Sequence, residues 1–205
     1  MYSHLASLAI FAAGAVVLAS AAEQEPRAMN LIDAEQKSAV EKSMRELRAA
    51  QSPADFAASN RAVVTLARNQ RSEASVRGFN VVQDEPPSVA GGATGPTPTD
   101  YFMVALGSCQ NVVFVRYAAL ADLAITSLET TVTGSWDRRG LYGLSGVDPG
   151  YREITIESKV STDAPDRKVA EVARRTQRGC PIYATLRKET ALTIRLIVNG
   201  HPVAL

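Results

Sequence analysis

The sequence predicts an α+β domain, and three observations carry that expectation. The segment Pro98 to Leu120 has a marked helix start and is apolar nearly all round. The segments 62–68, 75–83, 127–136 and 151–161 read as strands on either side of it. An amphipathic helix, a short helix and a final strand then close the chain. Strands, long helix, strands, helix and strand form the element order of an α+β domain. At 205 residues, the chain has the length of one domain with an extension. Hydrophobic residues make up 46% and charged residues 21%, and Lys+Arg 22 against Asp+Glu 21 leaves a net charge of +1. With that balance, and without a cluster of basic and aromatic residues, nothing favours nucleic acid. No internal repeat is evident.

Taken in order, Leu5 to Leu18 is an almost purely apolar run, shorter than the roughly 20 residues of a stable membrane span. Small residues follow at Ala19 and Ala21. The pattern is that of a secretory leader over residues 1–21, cleaved near Ala22, although Met1-Tyr2-Ser3-His4 carries no Lys or Arg. The expected location is periplasmic or secreted. Residues 22–60 form an N-terminal helical extension. Within it Asp33, with Gln36 three residues on, opens a helix that carries Val40, Met44 and Leu47 at helical spacing to Ala50, and Ser52-Pro53 ends it.

The main domain spans 61–200. Strands are expected over Ala62–Arg68 and Ser75–Gln83, joined through Arg68-Asn69-Gln70-Arg71. A loop dense in Gly and Pro follows, from Asp84 to Pro96. Thr97-Pro98-Thr99-Asp100 then places a hydroxyl at the cap, proline at the first helical position and a carboxylate three residues after the cap. The helix behind it is expected to be central, or covered by a second subunit. Ser127–Trp136 and Tyr151–Ser161 are the next strands, with a turn-rich connection that includes Arg138-Arg139. Asp163–Gln177 is an amphipathic helix, Cys180-Pro181 starts a short helix to Leu186, and Thr190–Val198 is a last strand.

The chemistry-bearing residues are two cysteines. Cys109 lies in the long helix and Cys180 immediately precedes Pro181. Neither has a Cys or His neighbour at zinc-ligand spacing, so no metal is implied, but two thiols suffice for one redox pair. Helix position alone favours Cys180 as the activated thiol, because it would cap a helix start near Arg174, Arg175 and Arg178. Cys109 sits about three turns into its helix, beyond the reach of the helix dipole. If buried in apolar surroundings it needs a cation to react. Arg116, seven residues on and about 10 Å along the axis, is a long reach. Arg68, Arg71 and Arg77 are the other candidates. The competing expectation is a structural Cys109–Cys180 disulfide in an exported chain. His201 reads as a solvated tail residue. Trp136 and Tyr142 read as packing or as a groove lining.

The chain resembles the OsmC/Ohr family of thiol-dependent peroxidases. Val76-Arg77-Gly78-Phe79, Asp84-Glu85-Pro86-Pro87, Gly91-Gly92, Gly95-Pro96-Thr97-Pro98, Leu106-Gly107-Ser108-Cys109 and Cys180-Pro181 with Leu186 carry the likeness in that order. The resemblance implies an OsmC-like fold, with curved antiparallel sheets wrapped around central helices in an intertwined homodimer whose active sites lie at the interface. It implies Cys109 as the peroxidatic thiol and Cys180 as the resolving one, the reverse of what helix position suggests. It further implies organic hydroperoxide as substrate, an external dithiol as reductant and no cofactor. One branch of the family has a glutamate after the helix-start proline, paired with an activating arginine. Here Thr99 holds that place and Asp100 follows, as a candidate catalytic acid or a helix cap. The activating arginine is Arg68, Arg71 or Arg77. Phe102, Met103 and Phe114 are expected near Cys109, suited to an alkyl peroxide.

Overall fold

The computed structural model describes residues 29–144 and 146–203. The expected leader and His4 lie outside the described residues. The elements are α1 (Ala34–Ala49), α2 (Pro53–Phe56), β1 (Val63–Arg68), β2 (Arg71–Val76), β3 (Phe79–Gln83), a 3₁₀ turn (Pro87–Val89), α3 (Pro98–Leu120), β4 (Ser127–Trp136), α4 (Arg138–Leu141), β5 (Tyr151–Ser161), α5 (Asp166–Gly179), α6 (Pro181–Leu186), β6 (Leu196–Val198) and β7 (His201–Val203). All strand pairs are antiparallel, in three sheets: β1-β2-β3, β4-β5 and β6-β7. The class is α+β.

Helix α3 organises the body because its start is fixed by side chains and its middle is apolar. Thr97 Oγ1 accepts from the Asp100 amide at 3.2 Å, and Asp100 Oδ2 accepts from the Thr97 amide at 2.9 Å. Such a cap contributes about 1 kcal/mol. By length and composition α3 could cross a membrane, but here it is a core helix with β4, α5, α1 and α6 against it. Gly107 lets β4 approach closely: a Cβ there would lie 3.2 Å from Val132 Cγ2. Thr130 Oγ1 donates to Asn111 Oδ1 at 2.6 Å and ties the same strand to the helix. At the start of β5, Phe102 of α3 stacks on Tyr151 with centroids 5.5 Å apart, and Trp136 packs on the same ring at 6.4 Å.

The core cluster is Ile32, Phe114, Ala118, Ala119, Leu123, Ile125 and Val172. Ile32 precedes α1, so the N-terminal extension contributes to this core. Asn30 holds it there, its Oδ1 accepting from the amides of Ile125 at 3.1 Å and Ile32 at 3.2 Å. The Leu31 amide donates to the Ile125 carbonyl at 2.8 Å. Lys37 pairs with Asp122 at the end of α3.

Two expectations change. The segment 75–83 is not one strand, because Arg77 (φ 52°) and Gly78 (φ 86°) form a two-residue turn between β2 and β3. Two left-handed residues match the twist of a tight hairpin, and Arg77 therefore sits in a turn rather than opening a strand. The strand expected over 190–198 is regular only at Leu196–Val198, where Asn199 (φ 50°) and Gly200 (φ 84°) turn the chain back into β7. On α3, Val104 and Val112 are exposed, which leaves open both expectations for that helix, a central place or cover by a second subunit. Val63, Val64, Leu66 and Phe79 on the first sheet, and Leu192 and Ile194 before β6, are uncovered as well.

Ile32→Ala should lower unfolding free energy by about 2 kcal/mol in urea titration, the ordinary cost of emptying a buried isoleucine site. An unchanged midpoint would show that the extension adds nothing to the core.

Candidate active site

The two cysteines meet. Cys180 Sγ lies 3.1 Å from Cys109 Sγ, both as free thiols, with Cys180 donating. The contact arises because α5 lies along α3 and ends where α6 begins. Cys180 serves both helices: its amide donates to the Thr176 carbonyl at 2.9 Å, and its sulfur accepts from the Tyr183 amide at 3.5 Å. Pro181 at the first position of α6 sets the corner. Thr176, buried, donates its hydroxyl to the Val172 carbonyl at 2.9 Å and so adds no unpaired group to the α5 face behind the corner.

The two sulfurs differ in access. Cys109 is half-buried, and less enclosed than its apolar neighbourhood in sequence suggested, while Cys180 is fully buried. Burial pushes the Cys180 thiol up, and the hydrogen bond to Cys109 adds to this. The Tyr183 amide opposes both without reversing the direction. This corrects the expectation from helix position. The six-residue α6 offers only the amides of Tyr183 and Ile182, and desolvation outweighs them.

Asp100 stands in the capping box. Its Oδ2 also accepts from Thr97 Oγ1 at 2.8 Å, and the hydroxyl and amide of Thr97 together lower its pKa. The three candidate arginines are on the first sheet, apart from the thiol pair. Arg68 ends β1 and Arg77 occupies the β2–β3 turn, both exposed. Arg71 is held: its Nε donates to Thr94 Oγ1 at 3.1 Å and its guanidinium pairs with Glu73 at 2.6 Å. Met103 and Phe102 pack against Tyr151 at the β4–β5 end, and Phe114 is in the core. Tyr142 is exposed. Beside the thiol corner, Gln110, Phe114, Ile154, Ile156, Val160 and Tyr183 help line a cavity of about 540 Å³. Among the described residues, no cluster of three or more metal-ligating side chains occurs.

A family model described as OsmC-like protein matches residues 91–195, just over half the chain and inclusive of both cysteines. The chain belongs to the OsmC family. An OsmC-like protein of Mycoplasma pneumoniae superimposes with a TM-score of 0.56 at 20% identity, over 64% of this chain and 89% of its own. An OsmC-like protein of unknown function from Vibrio cholerae gives 0.54 at 16% identity, over 65% and 96%. A Psychrobacter arcticus protein, described provisionally as an osmotic stress induced and detoxification response protein, gives 0.51 at 19%, over 63% and 90%. These likenesses establish the OsmC-like fold. No curated protein sequence matches the chain.

Within this OsmC-like domain, sequence reading passed over Asp84 as one loop residue among several. It is only 1% exposed and accepts four hydrogen bonds: from the amides of Glu85 (2.8 Å), Gly92 (3.0 Å) and Thr94 (3.1 Å), and from Thr94 Oγ1 (2.8 Å). Burial alone would push its carboxyl up. The hydrogen bonds outweigh burial and bring the pKa from 3.8 to about 2. Asp84 thus pins the loop that leads into α3, and through Thr94 it reaches Arg71. The available signal was an aspartate opening a Gly-rich loop, the setting in which a carboxylate gathers local amides.

Asp84→Ala should lower Tm by roughly 5 °C or more, since it orphans several donors. Because the folded-state pKa is depressed, the stability Asp84 contributes is complete above 3.8 and lost as pH falls toward about 2. Thermal melts across that range should show a shallower acid limb for Asp84→Asn than for the parent.

Proposed function

We propose that this protein is a thiol-dependent peroxidase that reduces organic hydroperoxides through Cys109 and Cys180. The observation that carries the reading is the 3.1 Å contact between a partly accessible thiol and a wholly buried one. The accessible sulfur is the one a peroxide can reach. The buried one is protected from oxidation, yet lies where it can attack the product of the first step. Membership of the OsmC family supports the same assignment.

In the first step the Cys109 thiolate attacks one peroxide oxygen and the O–O bond breaks. The alkoxide takes a proton and leaves as an alcohol, and Cys109 becomes a sulfenic acid. In the second, Cys180 attacks the Cys109 sulfur, the S–O bond breaks and water leaves, with the two protons it needs drawn from the Cys180 thiol and the sulfenic acid. An external dithiol then exchanges with the disulfide and restores both thiols. The cavity beside the corner has mixed walls, in which Phe114, Ile154, Ile156 and Val160 would meet an alkyl group and Gln110, Thr155, Ser158 and Gln177 a polar one.

Arg71 is the arginine we assign to the Cys109 thiolate, because among the three candidates it alone is anchored, by Thr94 and Glu73. Its sheet reaches the helical body through Tyr101, whose hydroxyl donates to the Val82 carbonyl at 2.7 Å. Apolar side chains left uncovered on that sheet, on α3 and before β6 support a homodimer that brings Arg71 to a thiol pair. Sedimentation should give a dimer at micromolar concentration, and a stable monomer would remove this route.

Peroxide consumption with an excess of dithiol tests the chemistry. Cys109→Ser should abolish turnover. In the absence of dithiol, Cys180→Ser should consume one equivalent per chain to leave Cys109 as sulfenic acid, and any further consumption should appear as sulfinic acid rather than as disulfide. Arg71→Ala should slow the first step about 100-fold without unfolding the protein. Unchanged activity in both cysteine variants, or no consumption by the parent, would leave a permanent Cys109–Cys180 bridge in a non-catalytic domain as the surviving account.

A further inference from the structure

The corner that carries Cys180 rests on one aromatic ring. A Cβ placed on Gly179 would lie 2.5 Å from Tyr117 Oη, 2.7 Å from its Cε2 and 3.0 Å from its Cζ. All three are inside normal contact distance. The ring has two neighbours that hold it, although it also borders a cavity of about 610 Å³ lined by Met44, Leu47 and Arg116. The guanidinium carbon of Arg175 sits 4.6 Å from its centroid, and the ring packs against the core cluster that includes Val172 and Phe114. Gly179 is the last residue of α5 and needs no left-handed backbone there, so alanine would suit the helix better. Close approach to Tyr117 is what the glycine permits. Its neighbour in sequence is Cys180, whose sulfur is 3.1 Å from Cys109. Tyr117 lies two turns beyond Cys109 on α3, and its side chain leans back toward the helix start, as helical side chains do.

We infer that Gly179 and Tyr117 form the seat that sets Cys180 at closing distance from Cys109. They are positioning residues for disulfide formation and take no part in the attack on peroxide. The inference rests on the peroxidase reading for its chemistry, but the seat itself can be measured without peroxide.

The test uses the full chain with Gly179→Ala, Tyr117→Leu and the double variant. After one equivalent of organic hydroperoxide, Cys109 sulfenic acid is trapped with a dimedone probe and the disulfide is followed by mass spectrometry. The expected result for Gly179→Ala is an unchanged first step, with disulfide closing slowed about 10-fold or more. In a glutathione redox buffer, the effective concentration of the two thiols for each other should fall by a similar factor. In the Tyr117→Leu background, adding Gly179→Ala should have no further effect, because the obstructing ring is gone. Closing at the parent rate with an unchanged glutathione equilibrium would overturn the seat. So would an equal loss in both steps, or a full further loss in the double variant. Should Gly179→Ala not fold, Tyr117→Leu alone decides: a lowered effective concentration supports the seat and an unchanged one refutes it. If the parent consumes no peroxide, the peroxidase reading fails while the glutathione measurement still settles the seat.

Discussion

The contact between two sulfurs is the constraint on which the rest of the arrangement depends. Cys109 is in the middle of α3, and Cys180 is 71 residues later at a helix–helix corner. To hold them 3.1 Å apart, the chain needs a straight, uninterrupted α3 and a second helix packed along it. It also needs a corner that changes direction within one residue. Thr97 and Asp100 fix where α3 begins, Val172 and Thr176 bury the α5 face, and Pro181 starts α6 without needing an amide partner. A residue that ends one helix and caps the next has little freedom, and that rigidity is what a pair of thiols requires in order to meet repeatedly.

Burial then distinguishes the two thiols, Cys109 half-buried and Cys180 enclosed. Desolvation disfavours the charged form of Cys180, so it stays a neutral thiol at the back of the site. A neutral, enclosed thiol is a poor first nucleophile toward a peroxide in solution. It is adequate against a neighbour already oxidised, because proximity replaces intrinsic reactivity. On the proposed peroxidase reading, the order of reactivity would follow access and solvation rather than distance from a helix start. The helix-start argument failed here because α6 is only six residues long and the amides of Tyr183, at 3.5 Å, and Ile182 do not offset the burial of the sulfur.

Much of the fold was legible in the sequence, for local reasons. The start of α3 at Thr97-Pro98 and its end near Leu120 follow from cap chemistry and composition. Strands β4 and β5 match the bounds read from alternation. What could not be read depends on distant partners or on turns with unusual residues. Arg77-Gly78 is a tight hairpin turn without the Asn or Asp that usually announces one, so β2 and β3 merged into a single strand. The Asn199-Gly200 turn does carry that signal, and it was passed over inside a C-terminal tail. Both cysteines were visible and their pairing was expected, but from their number and from the family resemblance, since no local pattern links α3 to the α5–α6 corner. Asp84 is the same case on a smaller scale, because a buried carboxylate is recognised by the amides around it.

The first sheet raises a different question, because its charged residues are not equivalent. Arg68 and Arg77 border the two turns and end in solvent, where a guanidinium samples many rotamers. Arg71 begins β2 and is held by Thr94, which Asp84 holds in turn. A charge fixed by a buried carboxylate two contacts away loses little entropy when it engages a thiolate. Glu73 competes for the same guanidinium at 2.6 Å, so on the proposed assignment the ion pair would have to loosen for Arg71 to reach sulfur. An exposed pair of this kind is worth little in water, and exchanging it for a thiolate in a partly buried site costs correspondingly little. The loop between β3 and α3 thus joins two tasks, holding the entry to the helix that bears Cys109 and ordering the cation assigned to it.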